Sequence, residues 1–165
     1  MFYPYLDASA LAKRYVPEAG SPVVDHLFVR VPLDRMFVLA VGMAEVVSIL
    51  VRKHNAGAVG TPQFRNALRS FRAEFQAVGP ARPVTVAGVL AESAYAFIEA
   101  HSLNSTDAIL LRSALDLATT LRPRGDDLFL AASDRRLLKT AQAEGLTTFN
   151  PDTQSEADLD TLLGP

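Results

Sequence analysis

Phe2-Tyr3-Pro4-Tyr5-Leu6-Asp7 opens the chain with an apolar run that ends on an acid. A second stretch of the same design lies far downstream, where Leu128-Phe129-Leu130-Ala131-Ala132-Ser133 runs into Asp134. In an open α/β sheet, residues just past the carboxyl ends of strands line the crevice where ligands bind. Two further acids, Glu45 and Asp107, stand near the starts of amphipathic segments. Carboxylates drawn together from such distant segments repel one another unless a cation neutralises them. If the four converge, they make a metal site suited to hydrolysis.

Outward from these runs, short apolar segments alternate with amphipathic ones, the pattern of βαβ units and a largely parallel sheet. Strands are predicted near Tyr3 to Leu6, Met36 to Ala40, Arg82 to Val86, Asp127 to Ala132 and Thr147 to Phe149. Helices are predicted over Ser9 to Tyr15, Ser21 to Val29, Gly42 to His54, Pro62 to Ala77, Gly88 to His101, Thr106 to Leu121 and Arg135 to Glu144. Pro4 is awkward in a central strand, because it cannot donate to the ladder and is tolerated only near the first residue. The expected organisation is one domain over residues 1–151 and an acidic tail over 152–165, whose Asp152, Glu156, Asp158 and Asp160 suggest a loosely held, solvated end.

Composition narrows the chemistry. The 165 residues, 49% of them hydrophobic, suffice for one good core. The absence of cysteine removes disulfides, thiolate zinc sites and cysteine nucleophiles, and fits a reducing cytoplasm. The first residues lack the basic and apolar regions of a signal peptide, and no stretch approaches the roughly 18 apolar residues of a membrane span. A net charge of -2 argues against binding nucleic acid by bulk electrostatics alone. It leaves room for local basic patches around an acidic centre.

The four acids differ in how well they stand alone. Placed on a helix, Asp107 shares a face with Leu111, Ala114, Ala118 and Leu121, while Arg112, Asp116 and Thr119 fall opposite. An acid at the head of a core-facing stripe is costly if unpaired. The bland alternative is dipole compensation behind Ser105 or Thr106 as N-cap. Asp7 and Asp134 each follow an apolar run and precede a helix, which capping also explains. Glu45 projects with Ser48 and Arg52, away from the face of Met43, Val46, Val47, Leu50 and Val51, so periodicity does not select it. Ser9 and Ser133 neighbour the strand-end acids and suit either a carboxylate's orientation or an ordinary turn.

Read with its surroundings, Tyr5-Leu6-Asp7-Ala8-Ser9-Ala10-Leu11-Ala12-Lys13-Arg14-Tyr15 resembles the opening of PIN-domain proteins, specifically the VapC-type toxins of toxin–antitoxin pairs. Leu130-Ala131-Ala132-Ser133-Asp134-Arg135-Arg136-Leu137-Leu138, then Gly145-Leu146 and Asn150-Pro151, is similar to the family's closing segment. Ala44-Glu45-Val46-Val47-Ser48-Ile49-Leu50 and Ser105-Thr106-Asp107-Ala108-Ile109-Leu110-Leu111 resemble the helices that carry its other two acids. The segment Ala40-Val41-Gly42-Met43 departs from the pattern by lacking a hydroxyl residue.

The resemblance implies a three-layer α/β/α sandwich around a central, mainly parallel five-stranded sheet. It implies that Asp7, Glu45, Asp107 and Asp134 form an acidic metal site, with RNA as substrate. It also implies a small cognate antitoxin as partner and a homodimer. All-oxygen ligands suit Mg²⁺ or Mn²⁺. Lys13-Arg14, Arg52-Lys53 and Arg135-Arg136 adjoin three of the acids and are candidates for flanking phosphates, or else solvated charges. Arg65, Arg69 and Arg72 would make a basic stripe. Phe64, Leu68, Phe71 and Phe75 form an apolar stripe for a partner surface or for the protein's own core. Two rivals stand beside a ribonuclease. A haloacid-dehalogenase-like phosphatase needs a second Asp where this chain has Ser9, and a non-catalytic PIN-like binding module needs no metal.

Overall fold

The computed structural model describes residues 1–75 and 81–164. Strands β1 (Phe2–Leu6), β2 (Phe37–Leu39), β3 (Arg82–Val84), β4 (Asp127–Ala131) and β5 (Thr147–Phe149) form one sheet in the order β3-β2-β1-β4-β5. Every neighbouring pair is parallel. From β1 the chain moves outward to β2 and β3, then crosses to β4 and β5 on the other side. The switch in direction therefore falls between β1 and β4, where α/β sheets open a crevice. Their register, Phe2↔Asp127 through Leu6↔Ala131, brings the two apolar runs to the same carboxyl edge.

Alternation along the strands divides the core into two layers. Leu6, Phe129, Ala131 and Phe149 pack on one face against helices α1 (Ala8–Leu11), α2 (Ser21–Arg30), α3 (Ala40–Asn55), α4 (Thr61–Phe75) and the C-terminal helix Glu156–Leu163. Tyr5, Leu39, Leu128 and Leu130 pack on the other against α6 (Tyr95–His101), α7 (Ser105–Leu121) and α8 (Arg135–Ala143), with α5 (Gly88–Ser93) resting on α6 and α7. The C-terminal helix is α9. The result is the expected three-layer sandwich. Within the second layer the Tyr5 hydroxyl and Ser113 Oγ pair at 2.6 Å, and burial pushes the Tyr5 pKa upward.

Several expectations change. Pro4 sits third in β1, not at its start. The Asp7 amide donates to the Ala131 carbonyl at 2.9 Å, so odd-numbered amides of β1 face β4 and the proline nitrogen faces β2. Pairing with β2 begins only at Tyr5, so no ladder bond is lost at Pro4. The single helix expected over Gly88 to His101 is two, α5 and α6, joined at buried Ala94. The stripe of α4 turns inward: Phe71 and Phe75 are buried and Phe64 and Leu68 pack on the first layer, so it serves this chain's own core. The expected end of that helix at Ala77 lies outside the described residues. Val51, expected in the core, is exposed.

The acidic tail is also more ordered than expected. Ser155 caps α9 in a reciprocal capping box with Asp158, and Leu159 is fully buried. Asp160 meets both His26 and Arg30 of α2, so the acids of this segment hold it down rather than solvate it.

Candidate active site

Each strand-end acid is set by the turn that follows it. Asp7 caps α1: its Oδ2 accepts from the Ser9 amide at 3.0 Å and from the Ser9 hydroxyl at 2.5 Å. Asp134 caps α8: its Oδ1 accepts from the amides of Arg136 at 2.7 Å and Leu137 at 3.1 Å. The Ser133 amide donates to Ser9 Oγ at 3.0 Å, tying the exits of β4 and β1 together. Thus Ser9 orients a carboxylate as well as making a turn. Ser133 Oγ is the buried side-chain oxygen that has no partner among the described residues.

Asp107 is held differently from the expectation. Asn104, not Ser105 or Thr106, caps α7, its Oδ1 accepting from the Asp107 amide at 2.9 Å. In return Asn104 Nδ2 donates to Asp107 Oδ2 at 2.7 Å. Asn104 thus caps the helix with its amide oxygen and braces the Asp107 carboxylate with its amide nitrogen. Asn104 was legible as a favoured N-cap three residues before an acid. Behind Asp107, Leu111, Ala114 and Ala118 are buried as expected, whereas Leu121 is only half-buried.

Glu45 is supplied by α3. That helix starts after Leu39, an apolar N-cap that makes no side-chain bond. Glu45, Ser48, Ile49 and Arg52 lie at i, i+3, i+4 and i+7, one face of the helix. Glu45 and Ile49 on that face are half-buried, and Ser48 and Arg52 are exposed. The face forms one wall of a cavity of about 470 Å³ whose other walls carry Asp7, Ser9, Asn104, Asp107 and Asp134.

All four candidate acids therefore line one space at the carboxyl edge of the sheet. Asp7 is buried at 7% exposure, and Asp134 is open to solvent. Asp107 bears the electrostatic cost. Burial, then the charges of Asp7, Asp134 and Glu45, push its pKa up to about 7 against the opposing bond from Asn104. One oxygen of each aspartate is anchored (Asp7 Oδ2, Asp107 Oδ2, Asp134 Oδ1), which leaves the other free of protein partners among the described residues.

Does this donor set fit a divalent ion? Among the described residues no group of three acidic or imidazole side chains is gathered tightly enough to hold one by itself. Mg²⁺ does not require such a cage, since it keeps several waters and takes one or two carboxylates. Hard oxygen donors, each with one free oxygen, facing one cavity under like-charge repulsion, fit that mode.

The basic residues separate into two groups. Lys13 is 6% exposed and bound to Asp152 at 2.7 Å, Glu18 at 3.5 Å and the Ala19 carbonyl at 2.9 Å. It is neither a phosphate contact nor a solvated charge. Arg14 pairs with Asp25 and Glu74, and Lys53 with Glu18. Arg52 lines the acidic cavity. Arg65, Arg69 and Arg72 remain exposed on α4.

No protein-family model matches the sequence, and no curated protein matches it. Solved structures do share its fold. FitAcB from Neisseria gonorrhoeae superposes with a TM-score of 0.60 at 15% identity, over 92% of this chain and 99% of that one. FitAB bound to an IR36 DNA fragment gives 0.62 at 16% identity, over 92% and 97%. VapC20 of Mycobacterium tuberculosis, a sarcin-ricin loop cleaving toxin, gives 0.60 at 17% identity, over 92% and 99%. Among the described residues no helix is long and apolar enough to cross a membrane. The chain has the three-layer, PIN-like α/β/α fold of these proteins, matched over nearly its whole length.

Proposed function

We propose that this chain is a Mg²⁺- or Mn²⁺-dependent endoribonuclease, the toxin of a toxin–antitoxin pair. The observation that carries the reading is the cavity at the sheet's switch point, where four acids from four separate segments face one another. The fold shared with a toxin that cleaves RNA supports the substrate class, and the fold shared with FitAB supports a partner-bound toxin. Residues 1–151 would be the nuclease unit.

The residues divide the work by how they are held. Asp7, Asp107 and Asp134 would hold the ion, one or two of them directly and the rest through its bound waters. The ion, when bound, supplies a water of lowered pKa and neutralises charge on the phosphoryl oxygens. Ser9, Asn104 and the first amides of α8 keep the three carboxylates in place. Glu45, on the α3 wall, orients the attacking water. Arg52, on the same wall, meets a non-bridging phosphate oxygen.

A second reading is a PIN-like module that binds RNA or protein without cutting. One experiment separates them. Wild type and Asp107→Ala are incubated with cellular RNA in Mg²⁺, with and without EDTA. Cleavage by wild type alone, lost with chelator and reduced at least about a hundredfold by the substitution, is expected, since even second-shell changes at metal sites cost 10–100-fold. RNA that stays intact under every condition leaves only the binding module.

A further inference from the structure

A second, smaller cavity of about 260 Å³ lies along α8. Its walls are His101 of α6 and Arg136, Lys139, Thr140 and Ala143 of α8. Arg136 stands two residues past Asp134, and His101 three before Asn104, so the two cavities share the same corner of the fold. Arg136 Nη2 donates to the His101 carbonyl at 3.0 Å, which ties α8 to the end of α6. Ser102 then adopts φ 50° and ψ 35°, the left-handed non-glycine residue among those described. That strained turn sets Asn104 and Asp107 beside the corner, and such strain persists where surrounding structure enforces it.

Among the described residues the Lys139 ammonium has no bonded partner, and the Arg136 guanidinium has the His101 carbonyl and no carboxylate. Arg135 and Arg136 occupy the first turn of α8, where the helix dipole disfavours positive charge and the capping carboxylate of Asp134 is the acid that offsets it. Among the described residues neither Arg136 nor Lys139 meets a carboxylate; the nearby Glu144 pairs with the His101 ring at 3.0 Å. The Thr140 hydroxyl donates to the Arg136 carbonyl. A guanidinium and an ammonium beside one cavity, neither matched by a carboxylate among the described residues, suit an anion with several oxygens, and the planar fork of Arg matches phosphate.

We propose that the pocket between α6 and α8 binds a backbone phosphate of single-stranded RNA that flanks the phosphodiester at the acidic cavity. Arg136 and Lys139 make the contacts along the side of α8. The identity of the strand rests on the nuclease reading; the anion site does not.

The test is fluorescence anisotropy with a labelled single-stranded RNA oligonucleotide in EDTA, where nothing is cut, across a salt series. Arg136→Gln and Lys139→Gln are each expected to weaken binding about three- to tenfold and to flatten the salt slope by about 0.7, the single-strand value per phosphate. Arg136→Gln also removes the bond to the His101 carbonyl, whereas Lys139 has no such bond, so the Lys variant reads the contact alone. Arg65→Gln, on the exposed face of α4, is the control and is expected to change neither quantity. Unchanged affinity and slope in both variants overturns the proposal, as does an equal loss in the control. Tighter binding of the matched single-stranded DNA overturns the assignment to RNA. A protein that cuts no RNA in Mg²⁺, yet loses affinity in these variants, would refute the nuclease reading and leave the phosphate pocket standing.

Discussion

Lys13 and the acidic cavity show two opposite ways of placing charge in the interior of one small fold. Lys13 is more deeply buried than most of the acids, yet each of its interactions is matched: Asp152, Glu18 and the Ala19 carbonyl surround it. It fastens the segment after α1 to the residues following β5, at the point where Gly20, with φ +82°, packs a Cα that has no room for a Cβ against the Pro151 carbonyl. The cavity instead gathers charges of one sign, and the strain appears in Asp107. Paired charge there is architecture. Unpaired like charge is what a ligand must relieve, and strongly perturbed groups in a cleft mark functional sites for that reason.

The comparison breaks most visibly at Lys13. Lys13→Met should lower stability in chemical denaturation by about 3 kcal/mol, the low end for a broken buried pair because both carboxylates retain partial access to water. RNA cleavage per folded molecule should be unchanged. A loss of activity without loss of stability would move Lys13 from architecture to the substrate path.

The next effect sharpens the other side. Mg²⁺ at a hundred times its dissociation constant should stabilise wild type by about 2.7 kcal/mol, since an ion that binds only the folded state adds to stability by mass action. In thermal denaturation the shift should vanish in Asp107→Asn. An equal shift in both proteins would place the ion elsewhere.

How far the sequence discloses these two regions depends on what surrounds each residue. β5, an edge strand, was readable to the residue from its β-branched and aromatic side chains. β1 and β4 were readable to within one residue, because central strands leave uninterrupted apolar runs. Asp7 and Asp134 were visible as the ends of those runs. Glu45 was not visible from periodicity, because a helix face that lines a polar cavity has the composition of a face in solvent; only family resemblance drew it out. Lys13 was misread for the converse reason. Burial of a lysine depends on partners such as Asp152, far along the chain, and no local pattern announces them. The capped helix α9 was hidden by the same acids that hold it to α2.

The smallest expected effect is the most discriminating. The Asp107 pKa, raised to about 7, lies above the usual carboxylate value of the unfolded chain. Between those two values the folded protein binds more protons than the unfolded one, so this group's contribution to stability is present at low pH and is lost as pH rises toward 7. Asp107→Asn removes the titration while its side-chain oxygen can still accept from Asn104. Without divalent ions, the variant should therefore gain about 1 kcal/mol over wild type at pH 8, a figure discounted because the carboxyl is partly open to solvent. The gap should close by pH 4. Urea titrations at the two pH values measure it. A variant less stable than wild type at pH 8 would mean that Asp107 is a compensated cap like Asp158, and the contrast with Lys13 would fail.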